Sequence, residues 1–192
     1  MNTPWGQSDH QRTIGEGIIF YGTPSHGGAK VQHEQNLLIP PALRNKDGWY
    51  EEDCEIEKLC FVFPHLFPDN DQDRTIAYLK NYIPDEFEEA TGTIIPMEES
   101  HLKQERKFYA DNIDNYLVFS AVGCGSHDKT IPEGFVKCSA AKGIDFTGKY
   151  HNWNGKTEKV FFVPDAEYGD RKFCFVIDPT RHVEVLATTR AS

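Results

Sequence analysis

The sequence has no apolar run long enough to span a bilayer, and residues 1–20 show no basic stretch leading into an apolar one. Neither a membrane anchor nor a secretory leader is expected, which places the chain in the cytoplasm. Cysteine is sparse: five residues, at positions 54, 60, 124, 138 and 174, an odd number with no Cys-x-x-Cys spacing. They read as reduced thiols rather than a disulfide framework. Also missing are the P-loop, the dinucleotide G-x-G-x-x-G, the hydrolase G-x-S-x-G, the zinc-protease H-E-x-x-H and the deaminase zinc signature. Phosphoryl transfer and nicotinamide chemistry thus have no support in the motifs, and no cofactor is assigned. No repeat, linker or low-complexity tract interrupts the 192 residues, so residues 1–192 are expected to form one globular domain.

What is present is a folded composition with an acidic middle. Hydrophobic residues make up 39% and aromatics 12%, which argues against disorder. Residues 47–114 hold 18 Asp and Glu against 6 Lys and Arg, so the net charge of −10 originates there. Such a field repels nucleic-acid phosphates and disfavours direct DNA or RNA binding. It suits a host protein with a basic surface, or simply solvated helix faces.

The elements predict an α+β fold with an N-terminal hairpin, a helical middle segment and a C-terminal antiparallel sheet. "GIIFYG" (17–22) and "AKVQ" (29–32) flank the turn "TPSHGG" (23–28), in which Gly27 and Gly28 are expected to supply positive φ. From Trp49 to Phe63 the spacing predicts a helix with Ile56, Leu59, Cys60 and Phe63 on one face, capped by Asp47 or Gly48. Further helices are expected over Asp73–Tyr82, over "PDEFEEATG" and over "HLKQERKFYADN", the last capped by Ser100. Strands follow in "NYLVFSAVG", "GFVKCSAA", "KVFFVPD" and "KFCFVI", with "WNG" (153–155) as a hairpin turn.

The candidate chemistry gathers at the 23–28 turn and the 48–55 segment. His26 sits on a glycine-rich turn, open enough to reach a substrate and able to move protons near neutrality. Cys54 is a possible thiolate partner for it. However, the helical wheel turns Cys54 away from the apolar face, and three neighbouring carboxylates oppose thiolate formation. Glu52 falls close to the apolar stripe on that wheel, so it needs a partner such as His26, Arg44 or a backbone amide. A Glu52–His26 couple would serve either as acid and base or as a structural tie. Gly27, Gly28, Trp49 and Tyr50 would bind substrate, the two aromatics as a wall. Two metal sets carry little weight and no metal is assigned: His26 with Glu52 and Asp53, and Cys124, His127, Cys138 and His151. The end of "FVIDPTRHVEV", with Asp178, Arg181 and His182, reads as a strand end with a turn.

"TPWG" (3–6), "TPSHGG" (23–28), "GWYEEDCE" (48–55), "FP" (63–64), "IPEGFV" (131–136) and "FVIDPTRH" (175–182) resemble a domain family of unknown function. That family is carried by phages, prophages and conjugative plasmids. The resemblance implies a mobile-element origin and a bacterial cytoplasm, and it brings no established activity. It leaves two expectations open: a Cys/His or Glu/His hydrolase-like site, or a non-enzymatic acidic protein that occupies a basic host surface.

Overall fold

The structure, a computed structural model, describes residues 1–126, 128–146, 151–152 and 157–185. It is a mixed α+β chain whose contacts divide into two compact units, Met1–Lys103 and Gln104–Ser192. Among the described residues no helix is long and apolar enough to cross a membrane.

The first unit is built on a four-stranded antiparallel sheet. Strands β1 (His10–Gly15), β2 (Ile18–Gly22), β3 (Gly27–Val31) and β4 (Trp49–Glu51) lie side by side in chain order. The expected hairpin is β2–β3, paired from Ile18↔Val31 to Gly22↔Gly27. Period-2 alternation sorts its side chains. Ile18, Ala29, Val31 and Tyr50 face a core completed by Ile39, Leu43, Leu59 and Phe63. Tyr21, Lys30, Trp49 and Glu51 fall on the opposite face.

The helix expected from Trp49 is shorter than predicted. Residues 49–51 are a strand, Glu52–Glu55 a turn, and helix α1 spans only Ile56–Val62. Pairing with β3 (Ala29↔Tyr50, Lys30↔Trp49) overrides the local helical preference. Gly48, at φ +69°, is a turn residue rather than a cap, and the Asp47 carboxylate accepts the Trp49 N–H at 3.0 Å. The apolar stripe itself holds: Leu59, Cys60 and Phe63 are buried, with Ile56 packed beside them.

Helix α2 (Gln72–Tyr82) starts at Asp71, whose carboxylate accepts from the amides of Asp73 and Arg74. Helix α3 (Pro84–Thr91) begins with proline and ends at Gly92, which takes the left-handed conformation. Leu79, Phe87 and Ile95 form a second core here, against Phe61. Helix α4 (His101–Asp111) opens beyond Ser100, whose hydroxyl accepts the Lys103 amide at 3.3 Å.

The second unit carries a five-stranded sheet: β5 (Tyr116–Gly123), β6 (Phe135–Ala141), β7 (Lys159–Pro164), β8 (Val176–Ile177) and β9 (Val183–Val185). Its order is β8-β5-β6-β7-β9, and every pairing is antiparallel. Of "KFCFVI", only Val176 and Ile177 join the sheet. The "WNG" turn lies outside the described residues.

Candidate functional site

The β2–β3 connection is four residues, Thr23–His26, and one side chain ties it. The Thr23 amide and hydroxyl both donate to the His26 carbonyl, at 2.8 and 2.7 Å, while the His26 amide donates to the Thr23 hydroxyl at 3.2 Å. The backbone at His26 is thus fixed at both polar groups while its ring is exposed.

Gly27 and Gly28 do something other than expected. Neither has positive φ; both lie in β3 and are buried. They are needed because neighbours occupy the space of a side chain. A Cβ on Gly28 would lie 2.2 Å from the Trp5 ring and 2.6 Å from the Tyr50 carbonyl oxygen. One on Gly27 would lie 2.6 Å from Phe20 and 2.9 Å from a Glu52 carboxylate oxygen. Gly28 is covered by the Trp5 ring.

Across the sheet, the 51–54 segment meets the turn. Ligand-type atoms of His26, Glu51 and Asp53 all lie within 4.8 Å of one another. The acids brought to the imidazole are therefore Glu51 and Asp53, where a helix starting at Trp49 points to Glu52. A strand sends consecutive residues to opposite faces, and Glu52 turns toward Gly27 and Phe20 instead. Glu52 is exposed rather than set against the apolar stripe, and its amide donates to the Gly27 carbonyl at 3.1 Å.

Glu51 is held firmly. One of its oxygens accepts from the amides of Asp53 (2.8 Å) and Cys54 (3.1 Å) and from the Cys54 thiol (3.2 Å). Partial desolvation, together with this thiol–carboxylate contact and the charges of Glu51 and Glu55, pushes the Cys54 thiol up to about 11. That is the reverse of an activated nucleophile. Cys54 also precedes α1 without capping it, since Glu55 occupies the position before the helix.

Trp49 and Tyr50, neighbours in β4, point to opposite faces of the sheet. Trp49 shares a groove of about 590 Å³ with Trp5, Arg44, Asn45, Glu51 and Glu55. Trp5 and Tyr21 both pack edge-on to its ring, and the Lys30 ammonium lies 5.2 Å from the ring centroid. Tyr50 is fully buried on the other face. Its hydroxyl donates to Asn36 at 2.7 Å and accepts the Asn45 amide at 3.0 Å, and burial pushes it up to about 12. Trp5 was not among the expected site residues; "TPWG" contained it, but only the tertiary structure sets its ring over Gly28.

Of the two metal sets considered from sequence, the first is not assembled as written, because Glu51 stands where Glu52 was expected. His26, Glu51 and Asp53 are the one such group among the described residues. In the other set His127 lies outside them, Cys138 is buried in β6, and His151 stacks on Phe146. In the 175–182 motif, His182 is buried with both ring nitrogens engaged. Nδ1 accepts the Asp178 amide at 3.0 Å, and Nε2 faces Glu167 at 3.2 Å. The ring locks the turn after β8.

Residues 1–113 match the family described as Domain of unknown function (DUF7007), and the chain belongs to that family. No curated protein and no solved structure matches the chain.

Proposed function

We propose that the functional centre of this DUF7007 member is the polar site where His26 meets Glu51 and Asp53, and that it is hydrolase-like, with water as nucleophile. The observation that carries this reading is the convergence of three chemically competent groups, His26 from the β2–β3 turn and Glu51 and Asp53 from the end of β4 and the turn after it, with Glu51 also lining a tryptophan-walled groove. Water held and polarised by this cluster attacks a carbonyl carbon or phosphorus of a substrate lying along Trp5 and Trp49. The bond to the leaving group breaks, and the proton lost by water ends on that group. Cys54 stays a protonated thiol and helps hold Glu51. The motif resemblance supports a setting in the bacterial cytoplasm, on phages, prophages or conjugative plasmids.

The test is a panel of activated carboxylic esters, amides and phosphodiesters. Loss of His26 (His26→Ala) or of the Glu51 charge (Glu51→Gln) should lower turnover by about 10²–10⁴, the usual reach of acid–base chemistry. Cys54→Ser should retain it. Loss of activity in Cys54→Ser alone would transfer the chemistry to the thiol, and identical rates in all variants would remove the site.

A second reading has its own observation. Asp85, Glu86 and Glu89 are exposed on α3, and they offer a basic host protein a concentrated acidic surface. Glu88 does not belong to that surface, because its carboxylate binds the Lys103 ammonium and the Ile95 amide. On this reading capture of the partner weakens with salt and survives His26→Ala. Reversing Glu86 and Glu89 to lysine abolishes it, and intact capture by that variant would discard the surface.

A further inference from the structure

We propose that His26, Glu51 and Asp53 jointly bind one divalent first-row transition cation, such as Mn²⁺ or Zn²⁺. This rests on the reading that the turn site is the functional centre, and it supplies the means by which water would be activated there.

Three features of the geometry support it. First, the donors come to one place from two separate segments, the β2–β3 turn and the end of β4 with the turn after it, and all three ligand-type atoms lie within 4.8 Å of one another. Around a cation bound at about 2.0–2.2 Å, neighbouring donors stand roughly 3–4 Å apart. A small rotation of exposed side chains closes that difference, since His26 and Asp53 are both exposed. Second, two carboxylates share this space, and among the described residues no lysine or arginine forms an ion pair with Glu51 or Asp53. A bound cation would neutralise their mutual repulsion. Third, Glu51 is already oriented: three donors saturate one oxygen and leave the other for a ligand. Such outer contacts commonly fix the ligands of a metal site.

The donor set defines the ion. One imidazole nitrogen with two carboxylate oxygens suits manganese, iron, cobalt or zinc better than calcium or magnesium, which favour oxygen alone. The Cys54 thiol, donating to Glu51, is a supporting contact rather than a ligand. Three protein ligands leave positions for water, the pattern of a catalytic rather than a purely structural centre.

The experiment titrates untagged, chelator-treated protein with Mn²⁺ and Zn²⁺ by calorimetry, and with Co²⁺ by visible absorption. The expected result is one equivalent bound, with no thiolate-to-cobalt charge-transfer band. His26→Ala, Glu51→Gln and Asp53→Asn should each weaken binding by more than the about 10–100-fold that losing an outer contact costs. Cys54→Ser should retain binding. His10→Ala should too, although His10 and Asp9 form an exposed pair elsewhere on the unit. Unchanged thermal midpoints for the metal-free variants show that they fold. Absence of saturable binding overturns the proposal, as does binding indifferent to His26→Ala, which would mark carboxylates collecting ions nonspecifically. Hydrolysis that persists with chelator and without cation binding sinks the cation and keeps the hydrolytic reading. Stoichiometric binding without hydrolysis on any substrate class does the opposite.

Discussion

Replacing Gly28 by alanine separates two explanations of the glycine pair, because they predict opposite signs. If glycine served only backbone freedom, alanine would be tolerated: φ at Gly28 is not positive. Reduced freedom of the unfolded chain would then stabilise the protein by about 0.4–1 kcal/mol. The geometry argues for the other sign. The new methyl group would sit 2.2 Å from Trp5 and 2.6 Å from the Tyr50 carbonyl oxygen. Ordinary contact needs the Trp5 ring to retreat by about 1.3–1.8 Å, and the carbonyl belongs to a strand paired with β3. Overpacking of this kind costs about 1–3 kcal/mol, so a net loss of about 1–2 kcal/mol is expected. At roughly 4–8 °C per kcal/mol for a unit this size, the midpoint falls by roughly 4–16 °C. Thermal unfolding by circular dichroism measures it. In a Trp5→Ala background the loss should shrink without vanishing, because the carbonyl remains. A midpoint raised by Gly28→Ala would refute the packing argument and, with it, the placement of Trp5 on the groove wall.

Cys54, although exposed, should alkylate slowly at neutral pH and accelerate as pH climbs toward about 11. Glu51→Gln should speed that reaction at fixed pH by removing a repelling charge, and an unchanged rate would contradict the thiol–carboxylate contact. Tyr50→Phe leaves Asn36 and the Asn45 amide without their buried partner. It should cost about 1–3 kcal/mol, read as a lower urea midpoint at constant m-value; a neutral substitution would deny the hydroxyl its role.

Most of the α+β order was legible because it rests on local signals. Proline and glycine bracket α3, Asp71 and Ser100 cap the helices after them, and β2 is β-branched and aromatic. The errors cluster where a non-local pairing wins. Trp49–Glu51 reads as the first turn of an amphipathic helix, yet an edge of the sheet captures it, and that exchange swaps Glu51 for Glu52 and sends Tyr50 inward. Sequence alone sets the His26 turn against a helix starting at Trp49, yet that helix begins seven residues later, and the groups His26 lies beside are Glu51 and Asp53. Trp5 carried no local mark at all, because its role depends on a missing side chain 23 positions away.

The Thr23 hydroxyl, which both donates to and accepts from the backbone of His26, has one more implication. Because that loop is closed before anything arrives, a ligand met by His26 has only two side-chain torsions left to settle, and little ordering entropy opposes it. Valine at position 23 would keep the shape and undo this advantage, leaving the imidazole present but slack.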